Sequence, residues 1–305
     1  MSSTNKKWVL ITGTSTGIGR ALALKLAGDG FSVFAGVRKP EHGDRLAAEF
    51  SKVKSAGQLV PVILDVTDGP SITAALETVK NKTGADGLWA LINNAGIVVP
   101  GPVETLTMAE WRHQFDVNFF GLIDLTRQVI PLLRESVAIH GAGSPRLLII
   151  SSIGGRVAQP MISPYTASKW ATTALGDSLR LELLRQGIGV TVIEPGAIAT
   201  PIWEKGDQKS NDFVPDHPAR RHYGPELDSL IALASRTAAK AMTPEKAAQQ
   251  IARALTARNA PARVLVGTDA KMAAMLKRLL PTRWFDAILK REFGIANPPG
   301  AAAAV

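Results

Sequence analysis

Tyr165 and Lys169 stand four positions apart in SPYTASKWA, residues 163–171, a run of small and helix-compatible residues. On an α-helix, positions i and i+4 share a face, with Cβ atoms about 5–6 Å apart, so the phenol and the ammonium can share one site. A tyrosine in water loses its proton near pH ~10, and a buried cation beside it favours the phenolate. Bringing that pKa to about 7 takes roughly 4 kcal/mol of differential stabilisation. The pair therefore has the chemistry of a proton donor and acceptor near neutral pH. The same spacing also occurs on the surfaces of ordinary amphipathic helices, so the rest of the chain has to decide between the two.

A second chemical signal lies near the N-terminus, where TGTSTGIG (Thr12 to Gly19) follows the apolar run WVLI and leads directly into a helical segment. Glycines there allow a tight turn and close approach of backbone to a pyrophosphate, while the helix N-terminus offers free N–H groups and a partial positive charge. Gly13, Ser15, Thr16, Gly17, Ile18 and Gly19 are the candidate cradle, with G-x-x-x-G-x-G spacing in place of the commoner G-x-G-x-x-G fingerprint. An acid about 20 residues past such a turn binds a ribose 2′-hydroxyl, whereas an arginine suits a 2′-phosphate. This chain has GVRKP, with Arg38 and Lys39 and no acid, so NADP(H) is preferred and NAD(H) is the alternative.

The elements that must position these groups follow a regular rhythm. Apolar runs at 8–12, 31–37, 59–66, 88–93, 146–152, 190–195 and 263–267 alternate with helical periodicity in GIGRALALKLAGDG, SITAALETVKNKTG, FFGLIDLTRQVIPLLRES and the segment holding Tyr165. Continuous rather than alternating apolar strands indicate burial on both faces. The expected fold is α/β, a doubly wound Rossmann-type parallel sheet of about seven strands flanked by helices. Residues 1–295 are read as a single oxidoreductase domain, with a substrate lid at about 201–242 and a disordered tail, ANPPGAAAAV, over 296–305.

Composition narrows the function classes. The 305 residues are 46% hydrophobic, enough for a large core, and contain no cysteine, which excludes disulfides, thiolate zinc sites and cysteine nucleophiles. The five histidines form no metal spacing, so no metal is assigned. Of the net charge of +9, residues 241–305 carry ten Lys and Arg against four acids. That basic end carries no recognised nucleic-acid motif, and no nucleic acid is expected as a partner. WVLI is too short for a signal-peptide core, and no run is long enough to span a bilayer, so the expected location is cytoplasmic.

With NNAG at 93–96, Asn118, SS at 151–152, YTASK at 165–169 and PGAIAT at 195–200 in order after the glycine turn, the sequence resembles the short-chain dehydrogenase/reductase family over roughly residues 8–200. The stretches GLWALINNAGI, SSIGGRVA and GTDAKMAAMLKRLLPTRWFDAILKREFG resemble its retinol and hydroxysteroid dehydrogenase branch. The resemblance implies a catalytic tetrad of Asn118, Ser152, Tyr165 and Lys169. Tyr165 would exchange the proton and Ser152 would hold the substrate oxygen. Lys169 would lower the tyrosine pKa and bind the nicotinamide ribose, and Asn118 would position a water. Ser151 is the neighbouring candidate; side chains alternate along a strand, so one of the two should face the site.

The resemblance also implies cofactor contacts from Asp65 and Val66 at the adenine and from Asn94, Ala95 and Gly96 at the adenosine ribose. Pro195 and Gly196 would form a turn before Ile198 and Thr200 at the carboxamide. Asp65 is alternatively a helix cap. Pro201, Ile202, Trp203, Phe213, Val214, Met161 and Ile162 would line an apolar pocket suited to a steroid, retinoid or other lipid. The mixed basic and apolar segment near 269–291 could rest on a membrane surface. A homodimer or homotetramer is expected from the family, and a nonenzymatic NADP-binding sensor or scaffold is the alternative function.

Overall fold

The computed structural model describes residues 6–200 and 218–295. The proposed lid residues Pro201, Ile202, Trp203, Phe213 and Val214 and the tail 296–305 lie outside the described residues. Seven parallel strands form one sheet: β1 (Trp8–Ile11), β2 (Ser32–Val37), β3 (Gln58–Ile63), β4 (Leu88–Asn93), β5 (Arg146–Ile150), β6 (Gly189–Pro195) and β7 (Arg263–Val266), in the order β3-β2-β1-β4-β5-β6-β7. The expected doubly wound fold is the observed one. The order reverses between β1 and β4, which opens a crevice at the C-terminal ends of those two strands.

The helices are α1 (Gly17–Gly28), α2 (Pro40–Phe50), α3 (Gly69–Thr83), α4 (Met108–Phe115), α5 (Gly121–His140), α6 (Ser163–Glu182), α7 (Pro218–Lys240), α8 (Pro244–Thr256), α9 (Thr268–Leu279) and α10 (Thr282–Glu292). Side chains alternate along β1 between two cores. Trp8 and Leu10 join Ile72 and Val79 of α3, Leu125 and Leu133 of α5 and Leu179 of α6. Val9 and Ile11 join Leu22 and Leu26 of α1 and Ile251 and Leu255 of α8 on the opposite face. Fully burying a Leu or Ile is worth about 1.5–3 kcal/mol, so these two layers hold the crevice rigid. β1, β2, β4 and β5 are buried along their whole lengths, whereas the edge strands β3 and β7 are half-exposed. Pro61 sits in β3, on an edge where its missing N–H is tolerated.

The long helical segment expected from Phe119 begins two residues later, at Gly121. A π turn over Asp116–Phe120 separates α4 from α5. The strands also stop short of the expected ends, so Asp65, Ser151 and Ser152 lie in the loops just beyond β3 and β5. No helix among the described residues is long and apolar enough to cross a membrane.

Candidate active site

The glycine turn connects β1 to α1 at the crevice. Gly17 has φ +58°, and a Cβ at Gly19 would lie 2.3 Å from the Gly13 carbonyl oxygen and 2.4 Å from Asn94 Nδ2. Only glycine fits there without moving backbone. Thr16 occupies the N-cap of α1 without a side-chain cap bond, which leaves the first-turn amides to another acceptor. Uncapped amides over a glycine cradle fit a dinucleotide pyrophosphate. Thr200 packs against Gly17, where a Cβ would meet its Cγ2 at 3.0 Å, so the segment after β6 reaches the same turn.

The loop after β4 forms the opposite wall and is wired from several directions. Thr12 Oγ1 accepts from the Asn94 and Ala95 amides, each at 2.9 Å, and Asn94 Nδ2 donates to the carbonyls of Thr12 at 2.8 Å and Gly13 at 3.1 Å. Asn94 is thus a strut between the turn and β4. Asn118, inside the π turn, accepts from Ile97 N at 2.8 Å and donates to the Ile97 carbonyl and to Ser168 Oγ, both at 3.1 Å. Gln114, one helical turn earlier, bonds Val99 N at 2.7 Å and the Ile97 carbonyl at 2.8 Å. π turns inside helices often mark functional sites, and this one aims Asn118 inward. Gly96 lies between Asn118 and Lys169: a Cβ there would be 3.4 Å from Asn118 Oδ1 and 3.6 Å from Lys169 Nζ.

Ser151 and Ser152 divide as alternation requires. Ser151 Oγ bonds the Lys169 carbonyl at 3.1 Å and Thr173 Oγ1 at 2.8 Å, which commits it to anchoring α6. Ser152 Oγ accepts from Gly154 N at 3.0 Å, and a Cβ on Gly154 would lie 3.4 Å from Ser152 Oγ and 3.3 Å from Tyr165 Cε1, so the serine and the phenol ring flank the same glycine. Lys169 is 5% exposed, donates to the Ile150 carbonyl at 2.9 Å and places Nζ 5.8 Å from the centre of the Tyr165 ring. The structure therefore gathers all four expected catalytic side chains at the C-terminal ends of β4 and β5.

The direction of the Tyr165 shift differs from the expectation. Burial pushes its pKa above the ordinary value and outweighs the lowering by the nearby Ser152 hydroxyl, so the phenol holds its proton. Burial also brings Lys169 down from 10.5 to about 8. Below pH ~8 both folded and unfolded chains hold this proton, and the fold bears the whole cost of the buried charge, about 3 kcal/mol for that shift. Between about 8 and 10.5 the folded chain gives the proton up first, so stability rises with pH and the cost is gone above 10.5. Lys169→Met is expected to be more stable than the wild type at pH 7 by about 2 kcal/mol, after about 1 kcal/mol for the lost hydrogen bond. Urea unfolding of both proteins at pH 7 and pH 10 checks this; a gap that does not narrow at the higher pH would remove the buried-charge explanation.

The remaining expected residues have mixed placements. Arg38 is exposed at the end of β2, the strand beside the glycine turn. Asp65 Oδ1 accepts from Thr67 N at 2.9 Å and Thr67 Oγ1 at 2.7 Å, and the cap of α3 is Asp68 rather than Asp65. Val66 and Ile198 are buried in the two cores, Val66 with β3 and α3 and Ile198 with Ile11 and Val266. Gly196 follows Pro195 with its open side filled by the Asp269 carboxylate, which also accepts from Ala197 N at 2.6 Å. Asp269, Thr12 and Gln114 were not among the expected site residues. The i, i+4 pairing of Gln114 with Asn118 on one helix face was the available signal for one of them.

Met161, four residues before Tyr165, adopts φ +64°, a conformation rare for a side chain other than glycine. Its carbonyl accepts from Gly101 N at 2.7 Å, and its side chain packs against the cluster of Ala219 and Leu227 in α7. Tyr223 Oη donates to Glu104 Oε2 at 2.8 Å, which ties α7 to the loop before α4. Met161 thus joins the segment before the Tyr165 helix to α7, while Ile162 is buried beside Gly101.

Comparison with known proteins agrees with this geometry. Residues 7–211 match the short chain dehydrogenase family. The chain is 32% identical to the NADPH-dependent 3-dehydrocapnine reductase of Ornithobacterium rhinotracheale, over 94% of this chain and 97% of that one. It is 33% identical to human 17-beta-hydroxysteroid dehydrogenase type 2, over 96% of this chain and 76% of that one, in line with the narrower resemblance. A short-chain dehydrogenase from Streptomyces avermitilis superposes with TM-score 0.70 at 29% identity, covering 94% of this chain and 95% of the other. The sequence match and the matching sheet together place the chain in the short-chain dehydrogenase/reductase family of oxidoreductases.

Proposed function

We propose that the protein interconverts an alcohol and a ketone or aldehyde on a lipophilic substrate, uses NADP(H) in preference to NAD(H), and employs Tyr165 as general acid and base. The observation that carries this reading is the convergence of Ser152 and Tyr165 on Gly154, with buried Lys169 5.8 Å from the Tyr165 ring centre, at the crevice that the glycine turn also borders. When bound, the nicotinamide supplies or accepts a hydride. In reduction, negative charge develops on the substrate oxygen, where Ser152 Oγ–H donates a hydrogen bond and Tyr165 Oη–H delivers the proton. The upward push on Tyr165 keeps that proton in place at neutral pH, which suits an acid. In oxidation the phenolate takes the alcohol proton, so that direction gains as pH rises. Lys169 would hold the nicotinamide ribose hydroxyls, and Asn118, across Gly96, would position a water that returns protons toward Lys169.

Gly13, Ser15, Thr16, Gly17, Ile18 and Gly19 would hold the pyrophosphate. Asp65, Val66, Asn94, Ala95 and Gly96 would line the adenosine side, with Pro195, Gly196, Ile198 and Thr200 at the nicotinamide side. Arg38 would grip the 2′-phosphate, and one relative is NADPH-dependent by name. A charge-assisted bond is worth about 1.5–3 kcal/mol, so Arg38→Asp should shift the NADPH-to-NADH affinity ratio about 10–100-fold toward NADH. Titrating each cofactor by fluorescence tests this. An unmoved ratio would take the 2′-phosphate away from Arg38.

The lipophilic reading rests on Met161, Ile162 and the apolar contacts of α7, and on a relative that acts, by name, on hydroxysteroids. Turnover across steroid ketones, retinal and aromatic ketones would rank the substrates. α9 and α10 also expose Met272, Met275, Leu279 and Trp284 among Lys271, Arg278, Arg283 and Arg291, a surface suited to anionic lipid. Sedimentation with phosphatidylserine liposomes at low salt, released at high salt, is the expected result. No sedimentation at low salt would remove the membrane contact.

A further inference from the structure

At the N-terminal end of the sheet, opposite the crevice, a cavity of ≈ 260 Å³ opens between β1, β4, β5 and the end of α8. Its lining includes Lys7, Arg146 and Arg258 together with Trp89, Ser144 and Thr256, and no acidic side chain among the described residues. Arg146 is 4% exposed. Its guanidinium donates to the carbonyls of Gly143, Ser144 (2.9 Å), Ala257 (2.9 Å) and Arg258 (3.3 Å). Its Nε is buried without a partner. Those carbonyls satisfy donors but carry no net charge, and no described carboxylate pairs with the side chain. Buried arginines ordinarily pair with an acid, because an uncompensated charge is costly to desolvate. Lys7 adds a second cation, held 4.8 Å above the Trp89 ring, whose Nε1 donates to Ser144 Oγ at 3.0 Å. Lys7 and Arg258, both exposed, thus line the same cavity as the buried Arg146.

We propose that this cavity is a binding site for a small multiply charged anion, bearing phosphate or carboxylate groups, which compensates Arg146 and is gripped by Lys7 and Arg258. The cavity falls below the ~300–1,000 Å³ of sites for drug-sized ligands, so a whole dinucleotide is excluded and a single phosphate or a small di- or tricarboxylate fits. The site lies at the opposite end of the strands from Tyr165, and its occupant would brace the loops 141–145 and 257–258 that Arg146 ties together.

The test is the thermal unfolding midpoint of the full chain with NADPH at saturation, so that phosphate sites on the cofactor turn are already filled. Inorganic phosphate and citrate are compared with chloride at matched ionic strength. A ligand at about ten times its dissociation constant should raise the midpoint by about 2–4 °C. Lys7→Glu combined with Arg258→Glu, both exposed positions, should lose that rise. A response to phosphate alone or to citrate alone assigns the class of anion. No anion-specific rise in the wild type, or an equal rise in the double variant, overturns the site.

Discussion

Tyr165→Phe is expected to lower kcat/KM for carbonyl reduction by about 10²–10⁴-fold, the range for removing a positioned general acid. The ring stays, so its packing beside Gly154 and under Lys169 is kept; only the hydroxyl goes. That loss corresponds to about 3–5 kcal/mol of barrier. Cofactor affinity should stay within about twofold of the wild type, because the glycine turn and Arg38 are untouched, and fluorescence titration of NADPH measures it. The split matters. A variant that loses turnover but keeps the cofactor has lost chemistry, whereas one that loses both has lost the site's shape. Reduction that continues within tenfold of the wild-type rate would assign proton delivery to another group. The pH dependence is a second check. Because burial raises the Tyr165 pKa, reduction should hold across neutral pH, and oxidation should climb on the alkaline side as the phenolate forms.

The parts of this site legible in the sequence are those fixed by local rules. Spacing put Tyr165 and Lys169 on one face of α6, and strand alternation separated Ser151 from Ser152; both relations depend on residues within one turn or one strand. Continuous apolar runs marked the seven strands because both faces of the sheet are covered. What the sequence did not show are contacts made across long stretches of chain. Thr12 binds the Asn94 amide across 82 positions, and Asp269 supports Ala197 across 72. No periodicity records such pairs. The π turn at Asp116–Phe120 was not legible because nothing in the spacing of DVNFF records its wider hydrogen-bond pattern. The direction of the Tyr165 shift was hidden for a different reason. A cation four residues away is visible in sequence, but the burial that raises the phenol's pKa is not.

Glu194→Leu is expected to destabilise the fold by about 3 kcal/mol, the low end of the ~3–5 kcal/mol found when one partner of a buried ion pair is removed. Glu194 is 0% exposed on β6, where Arg156 grips it in a bidentate pair, Nε and Nη2 each at 2.7 Å, and Arg263 of β7 adds a third bond at 3.1 Å. Without Glu194, two guanidiniums with side chains 32% and 30% exposed keep part of their hydration, which is why the low end applies. Arg263 would still have Asp177, which Arg180 also binds at 2.7 Å. Burial pushes the Asp177 carboxyl up, but Arg263 and Arg180 outweigh it and hold it below the ordinary range. Its contribution is therefore present above the unfolded pKa and is lost as pH falls through the lower folded value. Arg156 would have no such reserve among the described acids, and it closes the short turn that begins at Ser152. The variant should thus lose turnover as well as stability, whereas Lys25→Ala, which breaks an exposed i, i+4 pair, should change stability by no more than about 0.5 kcal/mol. Chemical unfolding of the two variants beside the wild type measures the contrast. A loss at Glu194 no larger than at Lys25 would mean that the network contributes little to holding β6, β7 and the Ser152 turn together.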